Sequence, residues 1–264
     1  MALARHLFDD DDASAAARID EVRRIVEEDE PYAGGIDVPE LDARAGYAAW
    51  SETYDRGGNP LITVEEPVVR SLLDELGPGP AVDAACGTGR HTRYLAERGH
   101  DVVGVDGSPE MLAVAAVSAP EARFALGDLE QLPIATGAVD LAVCSLALGH
   151  MKDLTQPINE LARVVRPGGR IVISELHPFM RLNGGQAFFA TASRTCAFVR
   201  EHGHLHGDYL RAFAAAGLRV TRCLEPSIGE DEVSMQALAH AFVPEATRAA
   251  FLGMPEALVW ELSR

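Results

Sequence analysis

The sequence predicts an α/β fold: a doubly wound, mostly parallel seven-stranded sheet with an N-terminal helical cap and a lid insertion. Three observations predict it. Strand-like and helix-like patterns alternate between about residues 61 and 175. The strand patterns are near-continuous apolar runs, as in a parallel sheet covered on both faces. The last third is less regular and carries two more strands, so the sheet should end in a strand pair rather than another βα unit.

The elements follow in order. Residues 1–12, with the run Asp9 to Asp12, read as a disordered acidic tail, because like charges repel and bury nothing. Residues 14–29 read as an amphipathic helix with Ala15, Ile19, Val22 and Val26 on one face. Glu30-Pro31 and Gly34-Gly35 break it. Residues 41–55 read as a second helix, with Tyr47, Trp50 and Tyr54 in one stripe. A capping box of Thr63 and Glu66 is expected to open the next helix, which runs to Gly77. Strands are expected at 81–85, 101–105, 122–126, 139–145, 170–175, 218–224 and 257–262. Helices are expected at 90–98, 155–165 and 208–216, and one from Ser108-Pro109 to Ser118, where an N-cap precedes Pro. Two short helices should fill 231–251. Residues 180–206 show no clear period. The chain divides into 1–60, the tail and cap, and 61–264, the main domain with a lid at about 178–206.

Composition narrows the function. The 264 residues carry a net charge of −17, which argues against nucleic acid and anionic membranes as partners. No stretch approaches the roughly 18 apolar residues of a spanning helix. The apolar start falls straight into the Asp run, unlike a signal peptide. Cys86, Cys144, Cys196 and Cys223 form no C-x-x-C pair, which fits reduced thiols and a cytoplasmic location. A homodimer is compatible with all of this.

The informative stretch is Ala81-Val82-Asp83-Ala84-Ala85-Cys86-Gly87-Thr88-Gly89-Arg90, a strand, a glycine loop and a helix start. Glycines let the backbone approach a ligand, and the helix N-terminus offers unpaired N–H groups. Asp106 ends the next strand, where an acid reaches a ribose diol. A dinucleotide site would place a third glycine where Thr92 stands. The carboxylate of Asp83 beside the loop suits a cationic ligand end better than a pyrophosphate.

Five segments resemble the class I S-adenosylmethionine-dependent methyltransferases: residues 82–89, Val103 to Leu112, Gly127 to Pro133, Val139 to Leu148, and Val165 to Ser174. Their order and spacing extend the resemblance over about residues 45–225. It implies S-adenosylmethionine as cofactor and S-adenosylhomocysteine as product. It implies Asp83 near the methionine ammonium, and Ala85, Gly87 and Gly89 along the methionine part. It implies Asp106 on the ribose hydroxyls, with Gly107 beside it. Met111 would face the adenine, and Asp128 and the Leu129 amide would bind its edge. Ser145 would open the loop that offers a carbonyl to the ammonium. Tyr47 and Tyr54 would fold over the site, Tyr47 toward the acceptor. Competing readings stand beside these: the Tyr47, Trp50, Tyr54 stripe and Met111 also read as core, and Asp128 as a turn cap.

Methyl transfer to oxygen or nitrogen gains from a base, and histidine suits neutral pH. His150 and His177 follow the fourth and fifth strands, at the sheet edge where ligands bind. They are the catalytic candidates. Glu175, His204 and His206 are candidates for acceptor contact. His202, His204 and His206 would share one face of an extended chain, yet no neighbouring carboxylate or Cys cluster supports a metal, and none is expected. Phe179, Phe188, Phe189 and Phe198 make the lid segment apolar, so a small hydrophobic acceptor of the natural-product tailoring kind is expected. The alternative is a protein of this fold that keeps the cofactor but catalyses another reaction, such as cyclisation.

Overall fold

The computed structural model describes residues 12–27, 37–191 and 193–264. The expected tail, apart from Asp12, and the break at Glu30-Pro31 and Gly34-Gly35 lie outside the described residues.

Helix α1 spans Asp12–Glu27, strand β1 Glu40–Leu41 and helix α2 Ala43–Trp50. Asp42 caps α2 by accepting from the Ala45 amide at 2.9 Å. Helix α3 runs over Pro60–Leu73 and starts earlier than expected. Asn59 accepts from the Leu61 amide and Pro60 takes the first helical position, a stronger start than a capping box three residues later. Glu66 bonds Arg70 instead, at 2.6 Å.

The regular region follows as β2 (Pro80–Ala84), α4 (Arg90–Glu97), β3 (Asp101–Asp106), α5 (Pro109–Ser118), β4 (Arg123–Leu126) and β5 (Val139–Ser145). A short 3-10 turn covers Leu148–His150, before α6 (Thr155–Val164) and β6 (Val165–Leu176). Ser108 caps α5 as expected. Then come α7 (Pro178–Leu182), β7 (Ala187–Ala190), β8 (Cys196–Val199), α8 (His206–Ala215), β9 (Arg219–Leu224), α9 (Glu230–Ser234), α10 (Ala237–Phe242), α11 (Pro244–Phe251) and β10 (Ala257–Ser263). Three short helices, not two, precede the last strand.

The main sheet has seven strands in the order β4-β3-β2-β5-β6-β10-β9. All pairings are parallel except those of β10, which is antiparallel to both neighbours. The chain reverses its direction of travel between β2 and β5, so a ligand crevice belongs at their carboxyl ends. The central strands β2, β5, β6 and β10 bury both faces, while the edge strands β4 and β9 stay partly exposed. Val82, Ala142, Ile171 and Ile173 pack beneath Ile158 and Leu161 of α6 and Phe213 of α8. Ala81, Leu141, Val143 and Val172 pack against Leu72 and Leu73 of α3 and Leu95 of α4.

The segment without a clear period holds a hairpin, β7 against β8, and β1 pairs in parallel with β8. This three-stranded sheet ties residues 40–41 to the expected lid. Trp50 stacks on Phe189 with ring centroids 4.7 Å apart, so one aromatic of the α2 stripe is core between the two segments. Alternation in four-residue strands is too short to separate from loop by sequence pattern, which is why the hairpin was not legible. Helix α1 also departs from expectation: Ala15 is buried, but Ile19, Val22 and Val26 are exposed.

Candidate active site

A cleft of about 520 Å³ opens at the carboxyl ends of β2, β3 and β5. Its lining includes Tyr47, Tyr54, Ala85, Gly87, Asp106, Gly107, Asp128, Leu129, Ser145 and His150, ten of the residues named from the sequence.

The glycine loop is shaped by its dihedrals. Gly87 has φ +54°, and a Cβ there would meet no atom within 4 Å, so its backbone faces open cleft. Gly89 has φ +84°, but a Cβ there would press on Ala115 at 3.1 Å and on Ser118 Oγ at 3.2 Å. Gly89 therefore serves the close packing of α4's start on α5 and does not line the cleft. Ala85 and Leu146, at the ends of adjacent strands β2 and β5, also take positive φ, 60° and 56°. Both line the cleft. Non-glycine residues in this region carry strain that the surrounding fold must hold. No sequence signal marks Leu146.

Asp106 accepts from the Gly87 amide through Oδ2 and from the Ser108 amide through Oδ1, each at 2.8 Å. Burial raises its pKa, opposed by these N–H bonds. Asp128 accepts from the Glu130 amide at 2.8 Å, so it does cap a turn while lining the cleft. Ser145 Oγ is buried without a hydrogen-bond partner, a polar atom left for a ligand on the same wall.

Other named residues lie elsewhere. Asp83 is buried inside the sheet and accepts from Thr92 Oγ1 at 2.7 Å; burial raises its pKa. Met111 is buried and not in the lining, in line with its core reading. The three histidines of the 202–206 run diverge. His204 Nε2 donates to the Met151 carbonyl at 2.7 Å, and His206 Nε2 meets Glu225 at 2.9 Å.

His177 does not line the cleft. Its Nε2 lies 3.0 Å from Glu225, and its Nδ1 accepts from the Phe179 amide, capping α7. Burial holds its imidazole below the usual range against the pull of Glu225. His177, His206 and Glu225 bring donor atoms within 4.8 Å of one another, a set a metal can use. The capping bond argues for a proton donor: an Nδ1 that accepts leaves the neutral ring's proton on Nε2, facing Glu225.

Glu175 is the buried organiser of the wall after β5. Its carboxylate accepts from the amides of Ala147, Leu148 and Gly149, at 3.2, 2.7 and 3.0 Å. Burial, then neighbouring Glu201, pushes its pKa up to about 8. Two further acids escaped the sequence reading. Glu201 approaches His150, and Glu65 anchors the glycine loop's helix through Arg90 at 2.6 Å. Thr88 Oγ1 adds a bond to Asp55 at 2.8 Å, fastening the loop to the turn after α2.

Tyr47 and His150 meet on the cleft wall, Tyr47 Oη lying 2.7 Å from Nε2. The apolar side chains of the expected lid do not line the cleft. Its apolar lining comes instead from residues such as Leu129, Leu132, Leu146 and Met151.

The strand order, the glycine loop and the acid at the end of β3 are those of the class I S-adenosylmethionine-dependent methyltransferase fold, which this chain resembles. Residues 82–173 match the family described as "Methyltransferase domain". The chain is 37% identical over 123 residues to demethylmenaquinone methyltransferase of Beutenbergia cavernae, covering 44% of this chain and 51% of that protein. It is 40% identical over 123 residues to malonyl-[acyl-carrier protein] O-methyltransferase of Pectobacterium atrosepticum, covering 47% and 48%. It thus spans about half the length of these curated relatives. An S-adenosylmethionine-dependent methyltransferase structure from Mesorhizobium loti superposes with a TM-score of 0.60 at 24% identity, over 76% of this chain and 98% of that one. Among the described residues no helix is long and apolar enough to cross a membrane.

Proposed function

We propose that this chain transfers a methyl group from S-adenosylmethionine to a small hydrophobic acceptor, in the cytoplasm and in natural-product tailoring. The observation that carries the cofactor assignment is Asp106. Its carboxylate is held by the Gly87 and Ser108 amides at the switch-point cleft, with the unpartnered Ser145 Oγ on the same wall. When bound, S-adenosylmethionine supplies a methyl carbon on a sulfonium sulfur that departs with the bond's electron pair. In this reading Asp106 takes the ribose diol, Gly87 lets the methionine part lie against the loop, and Asp128 with the Leu129 amide binds the adenine edge. Tyr54 and Tyr47 cover the site. The chain's main catalytic work is alignment of acceptor and methyl. His150 is the terminal base for an acceptor that carries a proton. The apolar lining at Leu129, Leu132, Leu146 and Met151 favours a hydrophobic acceptor.

Calorimetry with S-adenosylmethionine, S-adenosylhomocysteine and NAD tests the cofactor. Binding of the first two is expected, and binding of NAD alone would overturn the proposal. Turnover tests the reaction: an acceptor consumed without S-adenosylhomocysteine release would replace methyl transfer with a cyclisation-type chemistry.

A further inference from the structure

We infer that Tyr47 takes the acceptor's proton directly, that His150 and Glu201 draw it onward, and that the acceptor is one with a proton to give, an alcohol or phenol rather than a carboxylate or tertiary amine. The inference rests on the methyl-transfer reading and adds a route and a substrate class to it.

The hydrogen bonds decide the tautomer of His150. Its Nδ1 lies 2.9 Å from the Arg200 carbonyl oxygen, which can only accept. Nδ1 therefore carries the hydrogen, and Nε2 of the neutral ring holds a single in-plane lone pair. Tyr47 Oη, 2.7 Å away, donates to that lone pair. A substrate hydroxyl cannot use a lone pair that is already occupied. The phenol oxygen of Tyr47 keeps acceptor capacity of its own, and Tyr47 lines the cleft.

Glu201 completes the line. Its Oε1 lies 3.5 Å from the same Nε2, and both side chains are almost fully buried. A carboxylate there has nothing to accept from neutral Nε2, but it attracts the ring once Nε2 is protonated. Burial holds the Tyr47 phenol protonated well above its usual range, helped by Tyr54, Glu201 and Glu175, so Tyr47 passes a proton rather than storing a charge. The groups facing this line are Glu175 behind Glu201, Arg181 and His204 beside it, and His202 next in the chain. Arg44 lies in the cleft lining.

The proton count closes. The acceptor O–H bond breaks, and its electron pair stays on oxygen to form the bond to the methyl carbon. The proton joins Tyr47 Oη while the Tyr47 proton moves to His150 Nε2, leaving neutral tyrosine and an imidazolium beside Glu201. A carboxylate acceptor is already ionised at neutral pH and a tertiary amine has no proton, so neither gives this line anything to do.

The test has two parts. In ¹⁵N-labelled protein with S-adenosylhomocysteine, histidine NMR should find neutral His150 protonated on Nδ1. In turnover with a panel of simple phenols and alcohols, Tyr47→Phe should lower kcat by about 100-fold or more while cofactor affinity holds within about threefold. Glu201→Gln should lower kcat by about tenfold, because the imidazolium formed in the step loses the opposite charge beside it. A proton on Nε2, or a Tyr47→Phe enzyme with wild-type kcat and pH profile, would overturn the relay. Failure to bind S-adenosylmethionine would instead overturn the underlying reading, while the NMR result would still report on the hydrogen bonds.

Discussion

Asp106 accepts the Gly87 amide at 2.8 Å, so the acid that ends β3 also holds the loop that leaves β2. One carboxylate thus shapes the loop and faces the cleft. Asp106→Ala should weaken S-adenosylmethionine binding by about 100-fold or more, the scale of losing two hydrogen bonds to a charged group. Calorimetry measures the affinity and circular dichroism checks the fold. Unchanged affinity in a folded variant would remove the ribose assignment.

The two loop glycines should fail in different ways. Gly87→Ala forces a side chain into positive φ but meets no atom, so about 1 kcal/mol of stability should be lost. Its cofactor affinity should fall by more than tenfold, because the new methyl projects into open cleft. Gly89→Ala adds pressure on Ala115 and Ser118 to the same strain, and should cost about 2–4 kcal/mol. Urea unfolding beside calorimetry separates the two. Equal stability losses would refute the division of labour.

Glu65 should matter for stability at neutral pH and lose its value in acid. It is fully buried and takes bonds from Arg90, Ser174 and His91. Burial alone would raise its pKa, but Arg90 and then His91 outweigh burial and bring it down to about 2 from an ordinary 4.5. A depressed carboxylate stabilises the fold fully above its unfolded value and loses that as pH falls through its folded one. Wild type should therefore lose about 3 kcal/mol from this group between about pH 5 and pH 2. Glu65→Gln, which leaves the Arg90 charge buried and unpaired, should cost about 3–5 kcal/mol at pH 7. Denaturation midpoints across that range would contradict this if wild type and variant fell in parallel.

Glu256 should act with the opposite sign. Burial pushes its carboxyl up to about 7, and its Oε2 has no hydrogen-bond partner. A raised acid favours the fold in its neutral form, so that contribution is complete below about 4.5 and is lost as pH rises through about 7. Glu256→Gln should be more stable than wild type at pH 8, by up to about 3 kcal/mol, with the gap closing toward pH 5. Thermal unfolding at the two pH values decides it; a gap that does not change with pH would exclude the buried acid as its source.

The sequence by itself determined the main sheet, the helices that alternate with its parallel strands, the glycine loop, and the place of Asp106 and Asp128 at the cleft. Each depends on near-neighbour patterning: apolar runs, helical periods, a capping Ser108 before Pro109, glycines in one turn. The tertiary structure alone decided where most side chains with chemistry point. It separated Gly87 from Gly89, turned Asp83 toward Thr92, and sent His177 to Glu225. It brought Tyr47 to His150 across 103 positions of chain and Ser174 to Glu65 across 109. Such pairs have no local period to betray them. Packing of α2 against α5 and β8, and of α3 over the main sheet, sets them, and the buried charges that result are tolerable only because their partners arrive together.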